Sequence, residues 1–146
     1  MRYCFNVLGE SETLAVGKKI AQALKNGAFI ALSGDLGAGK TVFVKGLAEG
    51  LDIKERILSP TYTVMCQYFG KKELCHFDIY RVSEEDCINM GFDDFFYDDT
   101  VVCAVEWSER LSEFPPHTLR VDIKKTGEDT RQITVDDEKG LLKEIK

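Results

Sequence analysis

The stretch Gly34-Asp35-Leu36-Gly37-Ala38-Gly39-Lys40-Thr41 combines residue types at a spacing that could do chemistry. It fits G-x-x-x-x-G-K-[ST], the loop whose backbone wraps the phosphates of a nucleoside triphosphate. Glycines reach conformations closed to other residues, so consecutive N–H groups can turn inward around phosphate oxygens. A helix starting where the loop ends adds the positive end of its dipole. Lys40 would then reach the β- and γ-phosphates, and the Thr41 hydroxyl would ligate Mg²⁺. Gly37, Ala38, Gly39, Lys40, Thr41 and Val42 are the candidate nucleotide contacts. The competing reading is an ordinary Gly-rich turn, and the flanks argue against it. Phe29-Ile30-Ala31-Leu32 before the loop is a short apolar run that reads as a buried strand, and Val42, Phe43, Leu47 and Leu51 after it recur at helical spacing.

Two further elements could bring carboxylates to such a loop. Val101-Val102-Cys103-Ala104-Val105-Glu106 is an apolar strand ending in an acid. If it runs parallel to the strand before the loop, both open on the edge of the sheet where ligands bind in such folds. Glu106 would then face Mg²⁺ or an attacking water; equally, it could be an ordinary acid at a strand exit. The second element is a hairpin, Thr61–Tyr68 and Glu73–Tyr80 around Phe69-Gly70-Lys71-Lys72. Alternation puts His76, Asp78 and Tyr80 on one face, with Cys75, Phe77 and Ile79 towards the core. A turn centred between Gly70 and Lys71 sets Asp78 opposite Thr63, with Thr61 nearby. Such a cluster could hold Mg²⁺ or its waters, or be a cross-strand hydrogen-bond group without metal.

The remaining elements supply a frame. Tyr3–Leu8 reads as a first strand, and Ser11 as the N-cap of a helix that runs to Gly27 with Leu14, Ile20, Ala21 and Leu24 on one face. Asp52–Pro60 is a loop, since Pro60 biases Ser59 away from helix. Short helices are expected between Ser83 and Trp107, a tract without lysine or arginine. Strands at Thr118–Ile123 and Arg131–Val135 close the chain. The pattern predicts one α/β domain over residues 1–146, with a mixed sheet and helices on its faces.

Composition narrows the function classes. The chain has 146 residues and a net charge of −6, which argues against direct binding to a nucleic-acid backbone. No apolar run approaches the length of a membrane span. Five cysteines show no C-x-x-C spacing, so neither a disulfide framework nor a zinc site is expected and a reducing cytosol fits best.

With these residues assembled, the chain resembles the TsaE (YjeE) family, bacterial P-loop ATPases needed to make threonylcarbamoyladenosine (t6A) in tRNAs. The resemblance runs in order through Gly17, the P-loop, Ser59-Pro60-Thr61-Tyr62-Thr63, His76-Phe77-Asp78-Ile79-Tyr80-Arg81, Met90-Gly91 and Glu106-Trp107. It implies a P-loop NTPase-like fold, with ATP and Mg²⁺ as cofactors. It also implies Thr41, Glu106 and Asp78 at the metal, and a switch loop around Thr61 that responds to the γ-phosphate. Trp107 would stand beside the site and Arg131 near the nucleotide. Lys40, Glu106, Asp78 and Thr61 are thus the candidate residues for catalysis. The implied partners are the TsaD and TsaB proteins, with tRNA reached only through that complex. The acidic-aromatic tract Glu84–Asp99 is a candidate docking surface, or else a solvated face over core aromatics.

Overall fold

Continuous apolar runs decide the centre of the sheet. The computed structural model describes residues 1–35 and 37–145. Strand β1 (Arg2–Leu8) leads into helix α1 (Gly9–Ala23), then β2 (Ala28–Gly34), the P-loop and α2 (Lys40–Gly50). The hairpin β3 (Met65–Phe69) and β4 (Glu73–Asp78) follows. Two short helices, α3 (Glu84–Asn89) and α4 (Phe92–Phe96), precede β5 (Val102–Glu106), and β6 (Thr118–Lys125) pairs with β7 (Thr130–Asp136). The strands form one mixed sheet in the order β1-β7-β6-β2-β5-β4-β3. Its four middle strands β6, β2, β5 and β4 are mutually parallel, and both edges are antiparallel. This is the mixed-sheet α/β architecture that the pattern predicts.

Strands β2 and β5 read as unbroken apolar runs because both faces of the sheet are covered there. On one face Ile30, Leu32, Leu74, Val102 and Ala104 join Phe43, Val44 and Leu47 of α2 and Val16 and Ile20 of α1 in one core. On the other, Phe29, Phe77 and Val105 meet Phe92 and Phe96 of α4, with Phe77 and Phe96 edge to face at 4.9 Å. Helices α1 and α2 approach closely through Gly17 and Gly46. A Cβ on Gly17 would collide with the Phe43 carbonyl, and one on Gly46 with that of Leu14. That contact fixes the axis of α2, and with it the direction in which the P-loop points.

Three local expectations are corrected. Helix α1 starts at Gly9, with Leu8 rather than Ser11 as N-cap, and it ends at Ala23 rather than Gly27. The Glu12 carboxylate accepts the Leu8 N–H at 3.1 Å, which satisfies an amide that the Ser11 assignment had placed outside the helix. Strand β3 starts at Met65 rather than Thr61, because Val64 has a left-handed backbone (φ 68°) that breaks the ladder. The hairpin register is also one residue off, because Phe69 pairs with Glu73 and the turn centres on Lys71: Met65 faces Phe77, and the Asp78 N–H donates to the Val64 carbonyl at 2.8 Å. Val64, not Thr63, lies opposite Asp78, and the Thr63 hydroxyl pairs instead with the Cys66 thiol. The acidic-aromatic tract divides. Phe92, Phe96 and Cys87 are buried, while Ile88, Met90 and Tyr97 stay exposed.

Candidate functional site

Three parallel strand ends and one helix start build the site. Leu32 on β2 is level with Glu106 on β5, and Glu106 is level with Asp78 on β4. All three strands end at the same edge of the sheet, where the P-loop leaves β2. The loop closes on Gly39, whose φ of 105° only glycine adopts readily, and α2 begins there with no side-chain cap. The first-turn amides of Lys40, Thr41 and Val42 lack an intrahelical acceptor by the geometry of any α-helix. They border a cleft of about 690 Å³, within the size range of small-molecule sites.

The P-loop forms one wall of this cleft through Gly37, Gly39, Lys40, Thr41 and Val42. Ser59, Thr61, Tyr62 and Val64 form a second wall, and Asp78, Tyr80, Arg81, Glu106 and Trp107 a third. Of the residues singled out from sequence, Lys40, Thr41, Asp78, Glu106 and Thr61 thus meet in one space. Ala38 is buried behind the loop. Arg131 does not line this cleft but an adjoining cavity of about 180 Å³, which shares Glu10, Gly37, Gly39 and Val42 with it. Its Nε donates to the Ala38 carbonyl at 3.0 Å and its terminal nitrogen to that of Gly37 at 3.3 Å.

The electrostatics centre on one carboxylate. The Lys40 ammonium donates to the Gly34 carbonyl at 2.7 Å and lies 3.6 Å from Glu106 Oε1. The other oxygen, Oε2, is 2.8 Å from His76 Nε2. Burial works to raise the Glu106 pKa, but His76 and Lys40 outweigh it and hold the carboxyl below its ordinary value. Glu106 is therefore an anion lining the cleft. Asp78 Oδ1 accepts the Tyr80 N–H at 3.1 Å, and Thr61 Oγ1 pairs with Ser59 Oγ at 2.8 Å. Lys40 also sits 5.8 Å from the centre of the Trp107 ring, which packs on Tyr80 at 4.7 Å.

This donor set fits an anionic ligand carrying a hard cation. Uncapped amides and one ammonium suit phosphate oxygens. A threonine hydroxyl with two carboxylates suits Mg²⁺, which takes few protein oxygens and keeps the rest of its shell as water and phosphate. Among the described residues no group of three or more His, Cys, Asp and Glu could hold a metal on its own.

Sequence reasoning gave no role to His76 or Glu10. His76 carried a signal, an ionisable group inside the apolar run of β4. Glu10 carried none, since only the packing of α1 on α2 brings it to the cleft.

Fold and loop together define a P-loop α/β domain. A family model described as "Threonylcarbamoyl adenosine biosynthesis protein TsaE" matches residues 8–133. The protein named tRNA threonylcarbamoyladenosine biosynthesis protein TsaE of Treponema pallidum is 41% identical over 126 residues, covering 85% of this chain and 93% of that relative. The protein of that name in Bacillus subtilis is 41% identical over 132 residues, covering 89% and 82%. The crystal structure of Bacillus subtilis YdiB superposes with a TM-score of 0.78 at 36% identity, covering 94% of this chain and 86% of that one. The chain belongs to the TsaE family.

Proposed function

We propose that this chain is a Mg²⁺-dependent ATPase of tRNA threonylcarbamoyladenosine biosynthesis. It acts on a TsaB–TsaD pair in a reducing cytosol and does not transfer the threonylcarbamoyl group itself. The observation that carries the reading is the convergence of Lys40, Thr41, Asp78 and Glu106 on one cleft beneath an uncapped helix start. The names of its relatives support the pathway, and five free thiols suit a reducing compartment.

Bound ATP and Mg²⁺ would supply the phosphoryl group and neutralise its charge. The chain's own part is positioning and electrostatics, which carry most of phosphoryl transfer. Lys40 exchanges the Gly34 carbonyl for phosphate oxygens, and the amides of Lys40, Thr41 and Val42 complete the cradle. Thr41 Oγ1 and the carboxylates of Asp78 and Glu106 would hold the metal, directly or through water. Glu106 also orients an attacking water. Thr61 and Ser59 form the wall opposite, on the segment that would respond to the γ-phosphate. Arg81 borders the cleft and would offset developing charge. Isolated turnover is slow on this account, because part of the site is completed by the partners.

The test is Mg²⁺-dependent phosphate release by the chain alone and mixed with purified TsaB and TsaD. Release stimulated by the pair supports the reading. Tight ATP binding with no release in either mixture replaces it with a nucleotide-gated binding module.

A further inference from the structure

His76 is fully buried in the middle of β4, level with Ala104 of β5 on one side and Cys66 of β3 on the other. It lies on the sheet face shared by Leu74, Val102 and Ala104, among the side chains of the larger core. Strand alternation gives Asp78 and Glu106 that same face, one pleat further along. Beside His76 the neighbouring strand carries only the methyl of Ala104, which leaves room for the ring to reach across β5. Its Nε2 meets Glu106 Oε2 at 2.8 Å. The other ring nitrogen, Nδ1, is buried and has no hydrogen-bond partner among the described residues.

Leucine would fill this space without a polar cost, and what the ring adds there is its contact with the Glu106 carboxylate. The unpartnered Nδ1 means that the ring's orientation is fixed from one side, by the carboxylate. The carboxylate is likewise fixed at one oxygen. Lys40 lies 3.6 Å from Oε1, a longer contact than the 2.8 Å between His76 and Oε2.

We propose that His76 is a positioning residue for Glu106: its Nε2–H anchors Oε2, so that Oε1 is the oxygen presented to the cleft. The inference rests on reading the cleft as an ATPase site, and it names how that site keeps its carboxylate oriented. Histidine and carboxylate thus form a hydrogen-bonded pair of which the carboxylate lines the cleft. Groups that orient a metal-facing ligand from behind typically change activity by about 10- to 100-fold when removed.

The contact is tested first without any turnover. The chain has two histidines, His76 and His117, so nitrogen-detected NMR of histidine-labelled protein resolves each ring. The proposal expects a proton on His76 Nε2, hydrogen-bonded in the wild type and altered in Glu106→Ala. A bare Nε2 in the wild type overturns it, whether or not the protein hydrolyses ATP. The consequence is then read in His76→Leu and His76→Gln, since glutamine offers an N–H donor at nearly the same reach. His76→Leu should bind ATP within about twofold of wild type, with kcat about 10- to 100-fold lower and KM little changed. His76→Gln should recover most of that loss. Full turnover in His76→Leu overturns the proposal, as does equal loss in both variants. A wild-type chain that hydrolyses no ATP, even with TsaB and TsaD, removes the ATPase reading but leaves the NMR result to decide the contact.

Discussion

Arg131 on the last strand donates to the carbonyls of Gly37 and Ala38, 94 and 93 residues earlier in the chain. Its remaining terminal nitrogen meets the carbonyls of Gly127, Glu128 and Thr130. The guanidinium therefore ties the turn between β6 and β7 to the back of the P-loop. Carbonyls held outward leave the loop's amides free to turn towards the cleft. Arg131→Ala should lower stability by about 2 kcal/mol, the scale of hydrogen bonds made by a charged group. It should also weaken ATP binding about tenfold, one unit of 1.4 kcal/mol. Arg131→Lys should not rescue either loss, because an ammonium cannot reproduce the planar fork. Thermal melts and equilibrium ATP titrations check both; unchanged affinity would mean that the loop keeps its shape without the brace.

Trp107 is the chain's single tryptophan, and its ring stands 5.8 Å from the Lys40 ammonium and 4.7 Å from Tyr80. Any ligand that draws Lys40 onto phosphate changes the charge beside the indole. Titration with ATP and Mg²⁺ should therefore shift or quench Trp107 emission, with adenosine ineffective. Lys40→Ala should abolish the response. Emission that follows adenosine as well as ATP would place the ligand's base, not its phosphates, beside the indole.

Much of this was legible in the sequence because it rests on local rules. The P-loop is written in glycines whose backbone freedom the turn requires, and β2 and β5 in apolar runs bounded by turn residues. Register and faces were less legible. The propensity of Thr61, Tyr62, Thr63 and Val64 favours a strand, but the left-handed Val64 starts the ladder later, and a turn centred on Lys71 shifts Asp78 by one partner. Alternation gives β4 one core face. Both of its faces are packed, Leu74 in one core and Phe77 in the other, so His76 is buried. The contact between His76 and Glu106 joins residues 30 positions apart, which no window along the chain could reveal. Arg131, expected near the nucleotide, reaches the P-loop through the carbonyls of Gly37 and Ala38, more than ninety residues away along the chain.

Asp93, at the start of α4, offers a test on acidity. Burial, with the nearby Glu84 and Asp94 charges, raises its pKa above the ordinary 3.8. The folded state thus binds this proton more tightly than the unfolded state. The wild type loses stability from this group as pH rises through that window, and the loss persists at neutral pH. Asp93→Asn should melt higher than wild type at pH 7. The difference should shrink as pH falls towards 4 and vanish below the unfolded value. An advantage that grew on acidification would reverse the sign of the coupling.

The central claim is that Lys40 binds and Glu106 turns over. Its most direct test measures ATP·Mg²⁺ affinity and single-turnover phosphate release side by side in wild type, Lys40→Ala and Glu106→Ala, each with TsaB and TsaD present. The account predicts that Lys40→Ala loses binding by at least about 100-fold, while Glu106→Ala binds nearly as wild type and releases phosphate about 100-fold more slowly, each a loss near 2.7 kcal/mol. Normal phosphate release by either variant would contradict it.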